Sequence, residues 1–434
     1  MRMNENEIKK SSALEPVVGF LKNNSMVLIF LVLAVFLGAS SGNSFSSLGA
    51  DASSRFFRNI LLIAALVLPI MSGIGLNFGI TLGAMAAEFS LVVIMILQID
   101  NQPLSIVYWV IVTVIVSAIC GKLLAALFNR TKGHEMIAGL LVGFFANGIY
   151  DLLLMVGCGD ILKINVNGLT LQKGLPIKAT VGLSAGLTSV LDKAFPMAYY
   201  FVVIIGVVAT IAYFLIRLVY VQVKSKDAGR KKLQLMKSVA GIVIAVAIYM
   251  IFMNVKPARK MIINVDFPVA TAAFSTVVLV FIWFLMKSKL GHDFTSIRND
   301  RRIAASVGIN VDKCRTKSII LSTIIAGLGQ ILYIQNLGTM NTYLMHNTVG
   351  TYAIAAILIG GATVKSANIK NVLIGNILFQ IIYGCAPNAA KVLMGNSQLG
   401  EYFRVFLCYA IIAVAIINNA IQETAAAKRK ADNI

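Results

Sequence analysis

Twelve apolar runs, each parted from the next by a short polar segment, set the limits on how this chain can fold. They fall at residues 26–39, 60–72, 80–97, 104–128, 136–156, 197–221, 238–254, 267–286, 318–335, 350–361, 371–384 and 402–420. A helix that crosses a bilayer needs about 20 mostly apolar residues. Backbone in hydrocarbon must satisfy its own polar groups, which makes helices the form for runs of this length. Of the 434 residues, 58% are hydrophobic and 13% charged. An average soluble domain carries about 25% charged residues, so too few are present to cover a water-soluble fold of this size. Most soluble enzymes, disordered chains and collagen-like chains are excluded on that ground. The expected fold class is all-α: a polytopic membrane helix bundle of about 10–12 transmembrane helices. The lower figure applies if residues 350–384 form half-helices.

Charge gives the topology. The chain has 38 Lys and Arg against 18 Asp and Glu, a formal net charge of +20. The basic residues sit in the short segments between apolar runs, as the positive-inside bias requires, so no nucleic-acid partner is expected. Segment 224–237 holds six Lys and Arg against Asp227, and segment 287–317 holds eight against three Asp. Both are assigned to the cytoplasm, with the basic turn 129–135. This gives a cytoplasmic N-terminal segment (1–25), a transmembrane body (26–421) and a cytoplasmic basic tail (422–434), with both termini inside. Segment 157–196 is the largest external one, and a short interfacial helix is expected over 181–195. Segment 40–54, rich in Ser and Gly, reads as a loop. The loop with Lys256, Arg259 and Lys260 runs against the charge rule. No short apolar core with a small-residue cleavage site precedes the first run, so that helix is expected to be retained.

Several polar features stand out in this apolar background. Gly73, Gly75, Asn77 and Gly79 interrupt two apolar helices; such breaks are tight turns at the membrane edge or line a solute path. Glu88 lies inside an apolar run, where a carboxylate faces the bundle interior or a cavity. Asn147 and Asp151 are four apart and share a helix face. Gln330, Gln335, Asn376 and Gln380 are further polar side chains suited to interhelical hydrogen bonds. The pairs Gly139/Gly143 and Gly182/Gly186 suit close helix packing. The five cysteines are scattered and the three histidines dispersed, so neither a metal site nor a disulfide framework is expected. Residues 360–366 superficially resemble a phosphate loop but lack the glycine before Lys365. No catalytic constellation is present, and an intramembrane enzyme is disfavoured. A short helix is expected over 300–307, with Asp300 near its start and Gly308 as its stop.

The stretch from Gly291 to Lys313, with Arg298, Asp300, Arg301, Arg302, the pair Ala304–Ala305 and Gly308–Ile309, resembles a segment of ABC-transporter permeases of the ribose and branched-chain amino-acid class. In that class it includes the coupling helix that enters a groove on the ATPase subunit. The small-residue run 326–329, the run 354–363 ending Gly360-Gly361-Ala362-Thr363, the turn 73–79, and His134-Glu135 before an apolar helix are similar to other parts of that class. The last resembles its nucleoside branch. Asn77 stands where serine is common in the class, and Gly75 where an acidic residue is usual. These departures leave the solute open.

The resemblance implies a multi-pass permease subunit of an ABC importer in the plasma (cytoplasmic) membrane, without its own ATPase site and with no cofactor in this chain, ATP being bound by the partner. Its implied partners are ABC ATPase subunits, a second permease (identical or paralogous), an extracytoplasmic solute-binding protein and membrane lipid. The solute is expected to be small and polar, a sugar or nucleoside, with a branched-chain amino acid as alternative. Arg298, Asp300, Arg301, Arg302, Ala304, Ala305 and Gly308 are the coupling candidates. Asn77, Glu88, Asn147, Asp151 and Gln330 are the pathway candidates. The rival is an ion-coupled secondary transporter using Glu88 or Asp151.

Overall fold

The computed structural model describes residues 25–99, 102–161, 166, 168–171, 175–183, 187–224, 228–254, 256, 259 and 266–432. The polar N-terminus up to residue 24 and parts of segment 157–196 lie outside the described residues. The principal helices are α1 Ser25–Ser40, α2 Phe45–Ala64, α3 Val67–Met71, α4 Thr81–Leu97, α5 Gln102–Arg130, α6 Glu135–Leu152, α7 Tyr199–Lys224, α8 Ala228–Asn254, α9 Val269–Lys287, α10 Lys289–Asn299, α11 Arg301–Ser306, α12 Val311–Leu337, α13 Met345–Ile359, α14 Ile369–Met394 and α15 Ser397–Asp432. Among the described residues, nine helical segments are long and apolar enough to cross a membrane, and two shorter apolar helices, Met26–Ser40 and Met345–Ile359, accompany them. The fold is a polytopic helical bundle, and every one of the twelve apolar runs falls on a helix.

The helices outrun their apolar stretches because polar caps extend them. Asn310 accepts from Lys313 N (2.9 Å) at the start of α12, and Gly338, at φ +70°, ends it. Asn368 and Asn371 form a reciprocal capping box at the start of α14. With 26 residues α14 is a full span, which overturns the half-helix reading for residues 371–384.

Three further expectations are corrected. Segment 40–54 is not a loop throughout: α2 begins at Phe45, because Ser44 Oγ accepts from Ser47 N (3.2 Å) as an N-cap. Segment 181–195 does not form one interfacial helix. Its start is a strand, and among its described residues the helical ones are Val190–Lys193. The extended preference of Thr180 and Val181 is satisfied by a partner strand from elsewhere in the chain. Gly182 therefore lies in a strand rather than on a helix face, and Gly186 lies outside the described residues. Segment 224–237 is mostly helical, its basic residues from Arg230 onward riding on the first turns of α8.

Among the described residues, six short strands make three antiparallel pairs: β1 Thr170–Leu171 with β2 Leu175–Ile177, β3 Thr180–Gly182 with β6 Thr339–Asn341, and β4 Pro196–Ala198 with β5 Asp266–Pro268. The β3–β6 register sets Val181 opposite Met340, and both side chains are fully buried.

The chain divides into two compact units. One holds residues up to 42, 55–190 and from 271 onward; the other holds 43–54 and 191–270. In the larger unit α12 is the axis, packed on α4 and α5. The apolar windows of 78–97 and 311–337 are each 72% buried within the protein, against 28% for that of α5. Close approach needs residues without a side chain at the crossings. A Cβ on Gly327 would stand 2.6 Å from Ser117 Oγ on α5, and one on Gly83 of α4 would stand 2.8 Å from Ala326 Cβ. Trp109 of α5, fully buried, donates its indole N–H to Ala87 O (2.9 Å), fixing α4 one residue before Glu88. In the smaller unit α7 and α8 lie side by side, and β4–β5 is closed by an edge-to-face contact of Tyr199 with Phe267 (5.0 Å).

Candidate functional site

Two polar assemblies occupy the larger unit, one at each end of α12. The first is built on the charged segment 287–317. It folds as two short helices, α10 and α11, meeting at Asp300, whose extended backbone (φ −156°, ψ 116°) makes the corner. The Asp300 carboxylate caps α11 by accepting from Arg302 N (2.7 Å) and Ile303 N (3.1 Å), an anion on a helix N-terminus. The helix expected over 300–307 is thus present as α11, with Gly308 beyond it at φ +90°. Of its residues only Ala304 is buried. Ile303 and Val307 are 63% and 75% exposed, beside exposed Arg302, Ala305 and Gly308.

This corner rests on the glycine turn at 73–79. Gly73 has φ +74°, and a Cβ there would lie 3.1 Å from Arg298 Cα, so a bare backbone is required both by torsion and by space. Arg301 donates to Gly73 O (2.6 Å) and pairs with Glu135 Oε1 (3.0 Å). Arg298 Nη1 reaches Met71 Sδ at 3.2 Å. Glu135, at the start of α6, also holds Arg315 of α12 (2.5 Å) and accepts from Gly133 N through Oε2 (2.9 Å). Arg315 is 1% exposed and Glu135 5%; one carboxylate therefore ties two guanidiniums from α11 and α12 to the head of α6. A cavity of about 610 Å³ opens beside this joint, lined in part by Gly75, His134, Arg298, Arg302 and Lys365.

The second assembly lies toward the other end of α12. Glu88 of α4 is fully buried and accepts from Gln330 Nε2 (2.8 Å), His346 Nδ1 (2.8 Å) and Tyr150 OH (3.4 Å). His346 Nε2 meets Asn147 Oδ1 at 2.5 Å, which also accepts from Asn347 Nδ2 (3.0 Å). Asn147 Nδ2 donates to Asp151 Oδ2 (3.0 Å). The contact with Asp151 orients the Asn147 amide, so both ring nitrogens of His346 face side-chain oxygens, one on Glu88 and one on Asn147. Four helices, α4, α6, α12 and α13, are joined by one continuous polar chain. It runs from enclosed Glu88 and Gln330 to half-buried Asn147 and Asp151.

Four of the five pathway candidates thus meet in one place. The fifth, Asn77, stands apart: it is buried in the glycine turn, where its Oδ1 accepts from Gly79 N (3.0 Å) and starts the single turn Phe78–Ile80. Sequence reasoning missed His346, the hub of the network, because no local pattern links it to Glu88, 258 positions away. It missed Arg315 and the anchoring role of Glu135 for the same reason, and Arg315 stands among Asp312, Lys313 and Lys317 in the charged segment, where the sequence does not mark it as the buried cation. Gly139 and Gly143 do pack closely, against Gly79 N (3.1 Å) and Thr81 Oγ1 (3.2 Å) from their Cβ positions.

Among the described residues, nine segments long and apolar enough to cross a membrane, with a capped basic helix braced on a glycine turn, define a polytopic helical membrane protein. Residues 162–415, more than half of the chain, match the family of branched-chain amino acid transport system permease components. The chain belongs to that family, within the ABC permease class, and is a multi-pass protein of the cytoplasmic membrane without a catalytic domain of its own. The matched residues include the whole of 291–363, while the glycine turn and Glu135 precede them. Neither the curated proteins nor the solved structures gave a match. Membership of an ATP-driven class removes the support for an ion-coupled reading of Glu88 or Asp151.

Proposed function

We propose that this permease serves an importer for a small polar solute handed over by an external binding protein, with α11 as the contact for the ATPase subunit and a second permease completing the path. The observation that carries this reading is α11 itself, a six-residue helix with its own cap that leaves Ile303, Val307 and Arg302 in solvent. Exposed aliphatic side chains on so short a helix suit insertion into a partner's groove. Force applied there reaches the bundle through Arg301, which is fastened to Gly73 and Glu135, and through Arg298 against the turn. Helices α4, α6 and α12 all start at or near this joint, so its displacement moves them as rigid bodies.

The solute route passes the half-buried end of the second assembly. Asn147 and Asp151 meet the solute, and Glu88 and Gln330 hold the wall behind them. A sugar or nucleoside suits these hydroxyl-matching amides and carboxylates, with a branched-chain amino acid as the alternative. The residues assigned to coupling are Arg298, Asp300, Arg301, Arg302, Ala304, Ala305 and Gly308. The test is co-purification of the cognate ATPase with the tagged permease carrying Arg302→Glu and Ile303→Asp, both at exposed positions. The expected result is loss of the ATPase from a permease that still elutes as a folded species. Undiminished recovery of the ATPase refutes the assignment.

A further inference from the structure

Between α5 and α6 the larger unit leaves a groove of about 500 Å³. Met85 and Ala86 of α4 and Tyr150 of α6, all buried, form its floor, while Leu123 of α5 and Phe145 of α6, 67% and 71% exposed, form its rim. No charged or carboxamide side chain lines it. Both rims belong to spanning segments, so the groove opens onto hydrocarbon, and its occupant is apolar.

The dimensions say what kind of apolar occupant fits. The lining runs from Val116 to Leu127 on α5 and from Val142 to Leu153 on α6, in each case about 16 Å at 1.5 Å per residue. That is one leaflet's share of a hydrocarbon core about 30 Å thick. Spread over this length, 500 Å³ gives a mean section of about 30 Å², whereas a helix about 10 Å wide needs about 80 Å². The groove therefore seats a single extended hydrocarbon chain, and a helix from a second copy would bridge it without filling it.

Charge says which lipid. Arg130, in the last turn of α5, follows Leu123 by seven positions and Leu127 by three, so it stands on the groove's own stripe of the helix, one turn past its end. It is exposed, and among the described residues no carboxylate pairs with it. The nearby acids are engaged elsewhere: Asp312 holds Lys132 (2.6 Å), and buried Glu135 holds Arg301 and Arg315. These pairs also place Arg130 at the α11 end of the bundle. A guanidinium matches a phosphate with two parallel N–H donors, and basic residues beside a bilayer surface favour anionic lipid. A zwitterionic headgroup brings its own cation and gains less.

We propose that this groove holds one acyl chain of an anionic phospholipid from the leaflet on the side of the coupling segment, with Arg130 holding the phosphate. The floor connects the lipid to the interior. Tyr150 turns its ring to the groove, donates its hydroxyl to Glu88 (3.4 Å) and packs edge to face on His346 (5.2 Å). A seated chain covers the ring that braces the Glu88 network.

The test uses the permease assembled with its ATPase in nanodiscs carrying a phosphatidylglycerol with a photoreactive diazirine in its acyl chain. Adducts are located by peptide mass spectrometry, with unlabelled phosphatidylglycerol or phosphatidylcholine as competitor. The expected result is labelling of 116–127 and 142–153, displaced about fivefold more effectively by phosphatidylglycerol, one basic residue's share at an anionic surface. Arg130→Gln should abolish that preference. Arg130→Lys should restore part of it, which separates lost charge from lost fold. Ala146→Leu, which fills the groove with a helix-compatible apolar side chain, should at least halve the labelling. Phosphatidylglycerol should raise the unfolding temperature of the wild type more than that of Ala146→Leu, and an equal rise in both refutes the connection through Tyr150. Labelling that avoids both segments overturns the proposal, as does equal displacement by the two lipids or a preference that survives Arg130→Gln. Labelling of the isolated permease that disappears in the full assembly overturns it in favour of a second permease covering this face.

Discussion

Replacing Glu135 by glutamine removes the one carboxylate that holds both Arg301 and Arg315, and the structure ranks the two losses. Arg301 is 34% exposed, so water and salt screen its share, and Arg301→Gln alone should cost about 1 kcal/mol or less. Arg315 is 1% exposed; its remaining recorded bond is to Phe128 O at 3.3 Å, and Nε and Nη1 have no partner. Stripping the partner from a buried charge costs about 3–5 kcal/mol, whereas replacing both members by apolar groups is often neutral. Glu135→Gln should therefore destabilise by about 3 kcal/mol, and Glu135→Leu combined with Arg315→Met should recover at least half of that loss. Equilibrium unfolding in mixed micelles, with each single change and the pair, closes the double-mutant cycle. A Glu135→Gln variant as stable as wild type, or a double variant no better than the single, would refute the claim that a buried ion pair anchors α6 to α12.

Two further outcomes follow from the same geometry. Gly73→Ala places a Cβ 3.1 Å from Arg298 Cα at a positive φ; it should cost about 1–2 kcal/mol and raise ATP turnover not matched by transport, measured as the ratio of hydrolysis to uptake in proteoliposomes. Glu88→Ala leaves Gln330 and His346 without their acceptor and should destabilise by about 1–3 kcal/mol. Glu88→Gln, which keeps an acceptor, should lose less, and equal unfolding midpoints for the two variants would contradict the network.

Much of the bundle was legible in the sequence because hydrophobic length is a local signal. Each run of apolar residues found its helix, and Asp300 and Gly308 marked α11 through cap and stop. What escaped was set by distant partners. Thr180–Gly182 became a strand because Thr339–Asn341, far along the chain, offered its edge. Segment 40–54 became half helical because one serine hydroxyl caps it. The site divides the same way: Glu88, Asn147, Asp151 and Gln330 were visible as polar groups in apolar runs, yet nothing local said that His346 would join them. Asn77 looked equivalent to them by the same criterion and proved to be a capping residue of its own turn.

The pairing of β3 with β6 ties segment 175–182 to the interior of the larger unit. Thr342 and Tyr343 hydroxyls donate to Lys178 O (2.8 Å) and Ile177 O (2.9 Å), and His346 follows Asn341 by only five positions. Under the proposed topology this ribbon faces the binding protein, and a shift of it by about an ångström would pull on the imidazole that Glu88 holds. Helix α4 runs from Glu88 back to the glycine turn where Arg301 is seated, so in the proposed importer loading and the ATPase stroke would act on opposite ends of one helix.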